Sequence, residues 1–494
     1  MSEDALQAAI FAAFAEGATR IDTQGAVVFL KGEDAIKIRR AIKLPFLDYS
    51  TLALRRRAAE AEIALNRADA PQIYKDAAPI RRTPQGFGFE GEGEIVDWAT
   101  RMWRFDENAT LDRLAERGEI GETTIRALAE AVHAMHARAP VHEAEPAMAS
   151  LARWIEQNAQ SFAGAPDLFV ADVALDLAAR SRAALAAAAP LLRARGKAGA
   201  VRRCHGDLHL GNIAVIDGRP VPFDAIEFDE AVATGDVLYD LAFAVMDLWE
   251  RDLRREANLL LNVYLSHEPP QTCDALALLP LFLSLRAAIR AKVSAKPDAA
   301  RRYFAFAQTF LDPAPPRLVA VGGLSGTGKS ALGAALAPEF GAAPGAVWLR
   351  SDVERKRLFG VAETAPLPEA AYGAEAGAKT YARLIDKARR ALRAGASVLI
   401  DATHSHAHER ARAAALAREA GVPFLGLWLE APLETRLARV ATRRGDASDA
   451  DEAIVRAQHA DALEEAGWRA LDASGDLAQT LGHARVASGL KAGI

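Results

Sequence analysis

Apolar and polar positions follow two different regimes along this chain. In the first part, strand-like runs precede helices. Ala26 to Leu30 and Ala35 to Ile38 are short apolar runs that flank Lys31-Gly32-Glu33-Asp34, a hairpin-turn signal. Met1 to Gly17 has amphipathic helical spacing, and Leu52 to Asn66 predicts a helix. Gly91 to Phe105 reads as two further strands, and Leu111 to Ala198 is mostly helical. Arg202 to Phe228 is strand and loop, and Val237 to Val263 and Leu276 to Phe310 are helical. Strands first and helices later, with a loop-rich insert between helical stretches, predict a two-lobed α+β domain.

The second part alternates. Strand runs Leu318–Val321, Val347–Leu349, Ser397–Ile400 and Phe424–Leu429 are interleaved with helical stretches Ser330–Leu336, Tyr372–Ala394, Glu409–Ala420 and Leu433–Arg443. That order predicts an α/β domain with a parallel sheet. Between the two parts lies Leu311-Asp312-Pro313-Ala314-Pro315-Pro316, whose prolines fit neither a helix interior nor a central strand. The expected organisation is residues 1–311, a linker at 312–316, and residues 317–494.

Composition narrows the class. A length of 494 residues allows two to four domains. With 51% hydrophobic and 25% charged residues, the chain is not mostly disordered, collagenous or coiled coil. A net charge of −5 gives no global drive toward nucleic acid or an anionic membrane, so neither is expected as a partner. Two cysteines, Cys204 and Cys273, argue against a disulfide scaffold or a cysteine zinc site. Glu3 and Asp4 in the first helix do not fit a signal peptide. The apolar run Ala275 to Leu285 is interrupted by Pro280 and is short for a membrane span. The expectation is a soluble cytoplasmic protein.

Candidate chemistry is concentrated in two segments. Gly323-Leu324-Ser325-Gly326-Thr327-Gly328-Lys329-Ser330 matches G-x-x-x-x-G-K-[ST] between a predicted strand and a predicted helix. Its glycines let successive backbone N–H groups turn inward on an anion, and the helix N-terminus adds its dipole. Lys329 would reach the β- and γ-phosphates of ATP, and the Ser330 hydroxyl would hold Mg²⁺. Asp352 and Asp401 follow predicted strands, at the carboxyl edge where open α/β sheets bind ligands. Asp401 fits a Mg²⁺ ligand acting through water, and Asp352 a base for a substrate hydroxyl; the other reading of each is a helix N-cap. Arg436, Arg439 and Arg443 share one helical face, and Arg444 leads into Gly445-Asp446-Ala447-Ser448-Asp449. They read either as a lid over transferring phosphate or as a solvated face. His404, His406 and His408 alternate after Asp401, as either a metal site or a polar loop.

With Arg355 and Lys356 beside Asp352, Asp-Ala-Thr at 401–403 and the 444–449 segment, this part resembles the small P-loop kinases of the gluconate-, shikimate- and polynucleotide-kinase type. The resemblance runs from about Arg317 onward. It implies ATP and Mg²⁺ as cofactors and a hydroxyl acceptor on a small molecule or a nucleic-acid end.

The other segment is His205-Gly206-Asp207-Leu208-His209-Leu210-Gly211-Asn212. An aspartate and an asparagine five apart on a loop before a strand resemble the kinase catalytic loop, where the aspartate takes the hydroxyl proton and the asparagine holds Mg²⁺. The segment is similar to the H-G-D-x-H-x-x-N signature of the aminoglycoside phosphotransferase and choline-kinase-like family. That resemblance implies a two-lobed protein-kinase-like fold. It makes Asp207 the base, His205 a brace for the loop and Asn212 a Mg²⁺ ligand. Asp224 is the preferred second ligand, with Glu227 the alternative by motif register, and Asp236 and Asp240 are supports. Ala35-Ile36-Lys37-Ile38 matches V-A-I-K in kind, so Lys37 rather than Lys31 or Lys43 is the nucleotide lysine, with Glu62 or Glu60 as its ion-pair partner. The glycine-rich loop of that family is reduced to one glycine in Thr23-Gln24-Gly25-Ala26.

The two resemblances in this order, with Leu44 to Thr51 and Arg286 to Val293, are similar to a group of bacterial two-domain proteins described as predicted kinases. The expected function is an ATP-dependent phosphotransferase with two nucleotide sites and a small-molecule hydroxyl acceptor. The alternatives are a regulatory ATP-binding protein in which one domain gates the other, and a nucleic-acid end kinase. An acidic cluster assignable to a polycationic drug is absent from the sequence, which disfavours aminoglycoside resistance.

Overall fold

The computed structural model describes residues 2–44, 47–443 and 445–490. Pro45 and Phe46 of the Leu44–Thr51 stretch, and Arg444, lie outside the described residues. The chain forms two compact units, residues 1–153 with 192–244 and residues 154–191 with 245–494.

The first unit is built on an antiparallel sheet in the order Thr19–Asp22, Ala26–Lys31, Asp34–Arg39, Glu94–Trp103, Tyr74–Thr83, Gly86–Gly88. Alternation along Ala26–Lys31 and Asp34–Arg39 sends Val27, Phe29 and Ile38 inward to Ile10 and Phe11 of the helix Glu3–Ala15. The helix Leu52–Asn66 starts at Thr51, whose hydroxyl accepts the Leu54 N–H. Its buried positions are Arg55, Ala58, Ala59, Glu62 and Asn66, so the face at helical spacing carries charge inward. The expected pair of strands over Gly91–Phe105 is one strand, Glu94–Trp103. Its partner Tyr74–Thr83 contains Pro79 and four charged residues, which hide the alternation.

Four helices, Leu111–Glu116, Glu122–Arg138, Ala144–Ala163 and Ala171–Lys197, fill the stretch expected to be helical. The helix expected over Val237–Val263 is two, Val237–Glu250 and Arg254–His267, separated by Asp252 at φ 62°. Leu276–Phe310 is the end of a 3₁₀ segment followed by helices Leu279–Val293 and Pro297–Phe310. Pro280 sits in the first turn of its helix, where a missing N–H costs nothing, and does not interrupt the apolar run. Pro270–Val293 is thus long and apolar enough to cross a membrane, and most of it is buried inside the protein.

The second unit holds a parallel sheet in the order Val347–Arg350, Val398–Asp401, Leu318–Gly323, Phe424–Glu430, Trp468–Asp472. The central strand is buried throughout, as its continuous apolar run requires. Sequence patterning missed Trp468–Asp472 and the helices Ser351–Leu358, Glu452–Ala457 and Leu477–Ser488. The edge strand Trp468–Asp472 buries only its first and fourth residues, a pattern with no period-two signature. At the opposite edge, the helix Arg254–His267 covers Val347–Arg350. Asn258 Nδ2 donates to Ala346 O at 2.9 Å, and Trp348 N donates to Asn262 Oδ1 at 2.7 Å. Side-chain amides therefore take the hydrogen bonds that an exposed edge would leave open. The Pro-rich segment 312–316 is coil inside this second unit, so packing and chain composition divide the molecule at different places.

Candidate functional sites

In the first unit, Lys37 projects from the strand Asp34–Arg39 toward the helix Leu52–Asn66. Its ammonium lies 2.9 Å from Glu62 Oε1 and 2.7 Å from Asp224 Oδ1. Glu60 faces outward and pairs with Arg56. Burial opposes the Lys37 charge, but Asp224, Glu62 and Glu227 outweigh it and hold the ammonium well above the ordinary lysine range. Burial likewise disfavours the Glu62 carboxylate, yet Lys37 and Arg39 keep its pKa below normal.

Arg39, which sequence reasoning missed, is fully buried two residues along the same strand. It donates to Glu62 Oε2 at 2.5 Å and Glu227 Oε1 at 3.0 Å. The Tyr49 hydroxyl donates to the same Glu227 oxygen at 2.9 Å. Two basic residues at i and i+2 on one strand were the available signal, since period two puts both on one face.

The segment 205–212 is a loop ending in a 3₁₀ turn, Leu210–Asn212. Asn212 Nδ2 donates to Asp207 O at 3.0 Å and to Asp207 Oδ2 at 3.1 Å. The buried His205 ring lies 2.9 Å from Phe223 O through Nε2 and accepts the Asp207 N–H through Nδ1. The carbonyl can only accept and the amide can only donate, so the ring is neutral with its proton on Nε2. Burial, pushing its pKa down, favours the same form. His205 thereby ties the loop to the residue preceding Asp224.

Gly206 has φ 85°, and a Cβ there would stand 2.8 Å from the Ala233 Cβ. Its N–H donates to Asp240 Oδ1 at 2.8 Å, while Asp236 forms a two-point pair with Arg195 at 2.5 and 2.7 Å. Asp236 also accepts the Leu238 N–H at 2.9 Å, while Asp240 Oδ2 accepts the His205 N–H at 3.3 Å and lies 3.1 Å from His136 Nε2. The strand Arg219–Pro222 ends before Asp224 and Glu227, so strand alternation does not set the direction of either side chain. Asp224 adopts φ 62° and faces Lys37, while Glu227 faces Arg39 and Tyr49.

In the second unit, the motif Gly323–Ser330 runs from the end of the strand Leu318–Gly323 into the helix Lys329–Leu336. It lines a cleft of about 430 Å³ together with Asp352, Arg355, Asp401, Arg439 and Arg443. Gly326 has φ 85°, and a Cβ there would meet Arg436 O at 2.5 Å. The Lys329 ammonium touches the Leu324 carbonyl at 3.1 Å. Burial pulls its pKa down, and Asp401 and Asp352 offset this only in part.

Asp401 ends its strand rather than following it, and Asp352 lies within the helix Ser351–Leu358, whose cap is Arg350; neither is an N-cap. Burial pushes the Asp401 carboxyl up against the pull of Arg350 and Lys329. Its Oδ2 is buried without a hydrogen-bond partner among the described residues, with Arg350 Nε 3.7 Å away. An oxygen in that state beside a P-loop serine fits a hydrated Mg²⁺.

The three arginines expected on one face diverge in their contacts. Arg436 is buried and holds Ser325 O at 3.2 Å and Val455 O at 2.6 Å, so it is neither a lid nor a solvated residue. Arg439 holds Ala473 O at 2.8 Å and Gly475 O at 2.5 Å, and Arg443 holds Ala450 O at 2.7 Å. The three histidines do not converge. His404 is buried with both ring nitrogens unpartnered among the described residues, His406 caps the helix Ala407–Ala420, and His408 is exposed. Lys356, read only as a neighbour of Asp352, is fully buried and pairs with Asp449 at 2.7 Å.

Residues 27–275 match the model of the phosphotransferase enzyme family, and residues 318–464 match that of an AAA domain. An uncharacterized protein of Mycobacterium tuberculosis is 29% identical over 482 residues, covering 94% of each chain. A choline/ethanolamine kinase family protein from Mesorhizobium loti shares 16% identity over 63% of this chain and 95% of its own, with a TM-score of 0.36. A sugar kinase from Janibacter shares 21% identity over 36% of this chain and 96% of its own, with a TM-score of 0.27.

Proposed function

Because the chain belongs to the phosphotransferase enzyme family through residues 27–275 and carries a second phosphate loop at 323–330, we propose that it is an ATP-dependent kinase with two nucleotide sites. Each site would transfer the γ-phosphoryl group to a hydroxyl of a small, sugar- or amino-alcohol-like acceptor in the cytoplasm. The phosphotransferase domain would be residues 1–311 and the P-loop kinase domain residues 317–494, joined by the linker 312–316.

One observation carries this reading: Lys37, Glu62 and Asp224, 187 positions apart at the extremes, meet within 2.9 Å beside the Asp207 loop. In the first site, Lys37, oriented by Glu62, would hold ATP phosphates. Asn212 holds Asp207 Oδ2, leaving Oδ1 to accept the acceptor's hydroxyl proton as that oxygen attacks the γ-phosphorus and ADP leaves. Asn212 and Asp224 would hold Mg²⁺ there, because Glu227 is already committed to Arg39 and Tyr49. In the second site, the loop amides, Lys329, Arg439 and Arg443 would cradle the nucleotide. Ser330 and Asp401 would hold Mg²⁺, and Asp352 would take the acceptor proton. Mg²⁺ supplies charge neutralisation on the transferring phosphoryl group.

The test is phosphorus NMR of the full-length protein with Mg·ATP and a panel of sugars and amino alcohols. A new phosphomonoester signal that depends on Asp207 or Asp352 is expected. ATP turnover to free phosphate alone, with every acceptor, would refute the hydroxyl acceptor.

A further inference from the structure

The Leu324–Ser325 peptide lies at one end of the phosphate loop, and this chain's own side chains hold both of its polar atoms. Lys329 holds the Leu324 carbonyl at 3.1 Å. Gln458 Oε1 accepts the Ser325 N–H at 2.7 Å. In this motif the lysine serves the β- and γ-phosphates, so the peptide its ammonium touches marks the terminal-phosphate end of the loop. Gln458 is therefore stationed where the transferable group would lie.

The assembly around Gln458 is built rather than incidental. Gln458 caps the helix Glu452–Ala457, and its own N–H closes on Ile454 O at 3.0 Å. The buried Arg436 bridges this helix and the loop by holding Val455 O and Ser325 O together. Because Ser325 contributes a donor, the glutamine must turn its oxygen toward the loop. Its NH₂ group, two neutral donors, is then the polar end left in the cleft that Gln458 lines with Lys329, Asp401 and Arg443.

We propose that Gln458 is a γ-phosphate-reading residue of the second site: its oxygen is anchored on Ser325, and its amide nitrogen donates to the terminal phosphoryl oxygens. This rests on the reading of 323–330 as an ATP site. It predicts discrimination between ATP and ADP, because ADP has no group at that position.

The experiment is calorimetry on the full-length chain in a Lys37→Ala background, which silences the first site, with Mg·ATP and Mg·ADP as probes. Gln458→Ala is expected to weaken ATP about ten- to hundredfold, the loss of a hydrogen bond to a charged group, and to leave ADP within about twofold. Gln458→Glu keeps an oxygen for Ser325 and so preserves the loop, but sets a carboxylate against the γ-phosphate. It is expected to weaken ATP at least as much as Gln458→Ala and to spare ADP. Equal losses of ATP and ADP in both variants would make Gln458 a loop support and overturn the proposal, as would no loss at all. Unchanged ATP binding after Lys329→Ala in the same background would show instead that the underlying ATP site is absent.

Discussion

The two phosphate-handling regions solve one electrostatic problem in opposite ways. In the first, Lys37 is saturated by carboxylates drawn from a helix and a distant loop, and its charge is secured well above the ordinary lysine range. In the second, Lys329 touches one backbone carbonyl among the described residues, and burial pulls its pKa down. The first site is assembled from side-chain charges that tertiary structure must bring together. The second is assembled from backbone N–H groups over eight consecutive residues. A phosphate entering the first must share Lys37 with two carboxylates, whereas one entering the second meets a lysine whose charge is under-compensated.

The largest expected effect probes the chemistry of the first site while leaving the second intact. Asp207→Asn should lower phosphoryl transfer there by about 10²–10⁴ with ATP affinity nearly unchanged, as loss of a general base does. Steady-state kinetics on the acceptor used by that site checks it, and an unchanged rate would make 205–212 a structural loop.

The charge network comes next. Glu62→Ala leaves Lys37 and the fully buried Arg39 short of their shared carboxylate, so denaturant unfolding should show a loss of about 3–5 kcal/mol. The transition is not a single two-state event in a chain of two units, so the loss belongs to whichever transition the variant moves. A change confined to activity would mean that the carboxylate serves nucleotide only.

Asp224 and Glu227 sharpen the same contrast. Asp224→Ala should raise the Mg²⁺ requirement of the first site by more than the about 10–100-fold typical of losing an outer-sphere partner. Glu227→Ala should change it little and instead lower stability, because it removes the carboxylate oxygen that Arg39 and Tyr49 share. The reverse ranking would make Glu227 the ligand.

The smallest effect separates the two lysines by pH. A lysine must be protonated to attract phosphate. The Lys329 pKa is depressed in the free protein, so ATP affinity at the second site should fall first as pH rises on the alkaline side, by at most about tenfold per unit. Lys37, with a raised pKa, should hold its affinity over the same window. Parallel titrations in Lys37→Ala and Lys329→Ala proteins compare them, and coincident profiles would erase the distinction.

This difference also governs what could be read in advance. The P-loop is legible because its chemistry is contiguous, and buried parallel strands such as Leu318–Gly323 announce themselves as apolar runs. The loop 205–212 is legible for the same reason. Arg39 was not, because its i, i+2 spacing from Lys37 puts both on one strand face without showing whether that face is buried, and its partners Glu62 and Glu227 reveal it. The strand Tyr74–Thr83 was hidden by Pro79 and by charge, and Trp468–Asp472 by its position at a sheet edge. Gln458 escaped notice because it lies 133 positions from the amide it holds.

On the proposed reading, two independent ATP sites coexist in one chain, one anchored by Lys37 and the other by Lys329. Titration calorimetry of the full-length protein with Mg·ATP measures it directly. A stoichiometry of two is expected for the unaltered chain and of one for each of Lys37→Ala and Lys329→Ala, with the surviving affinity unchanged in each. A single site in the unaltered chain, or one that persists at full occupancy when both lysines are replaced, would contradict it.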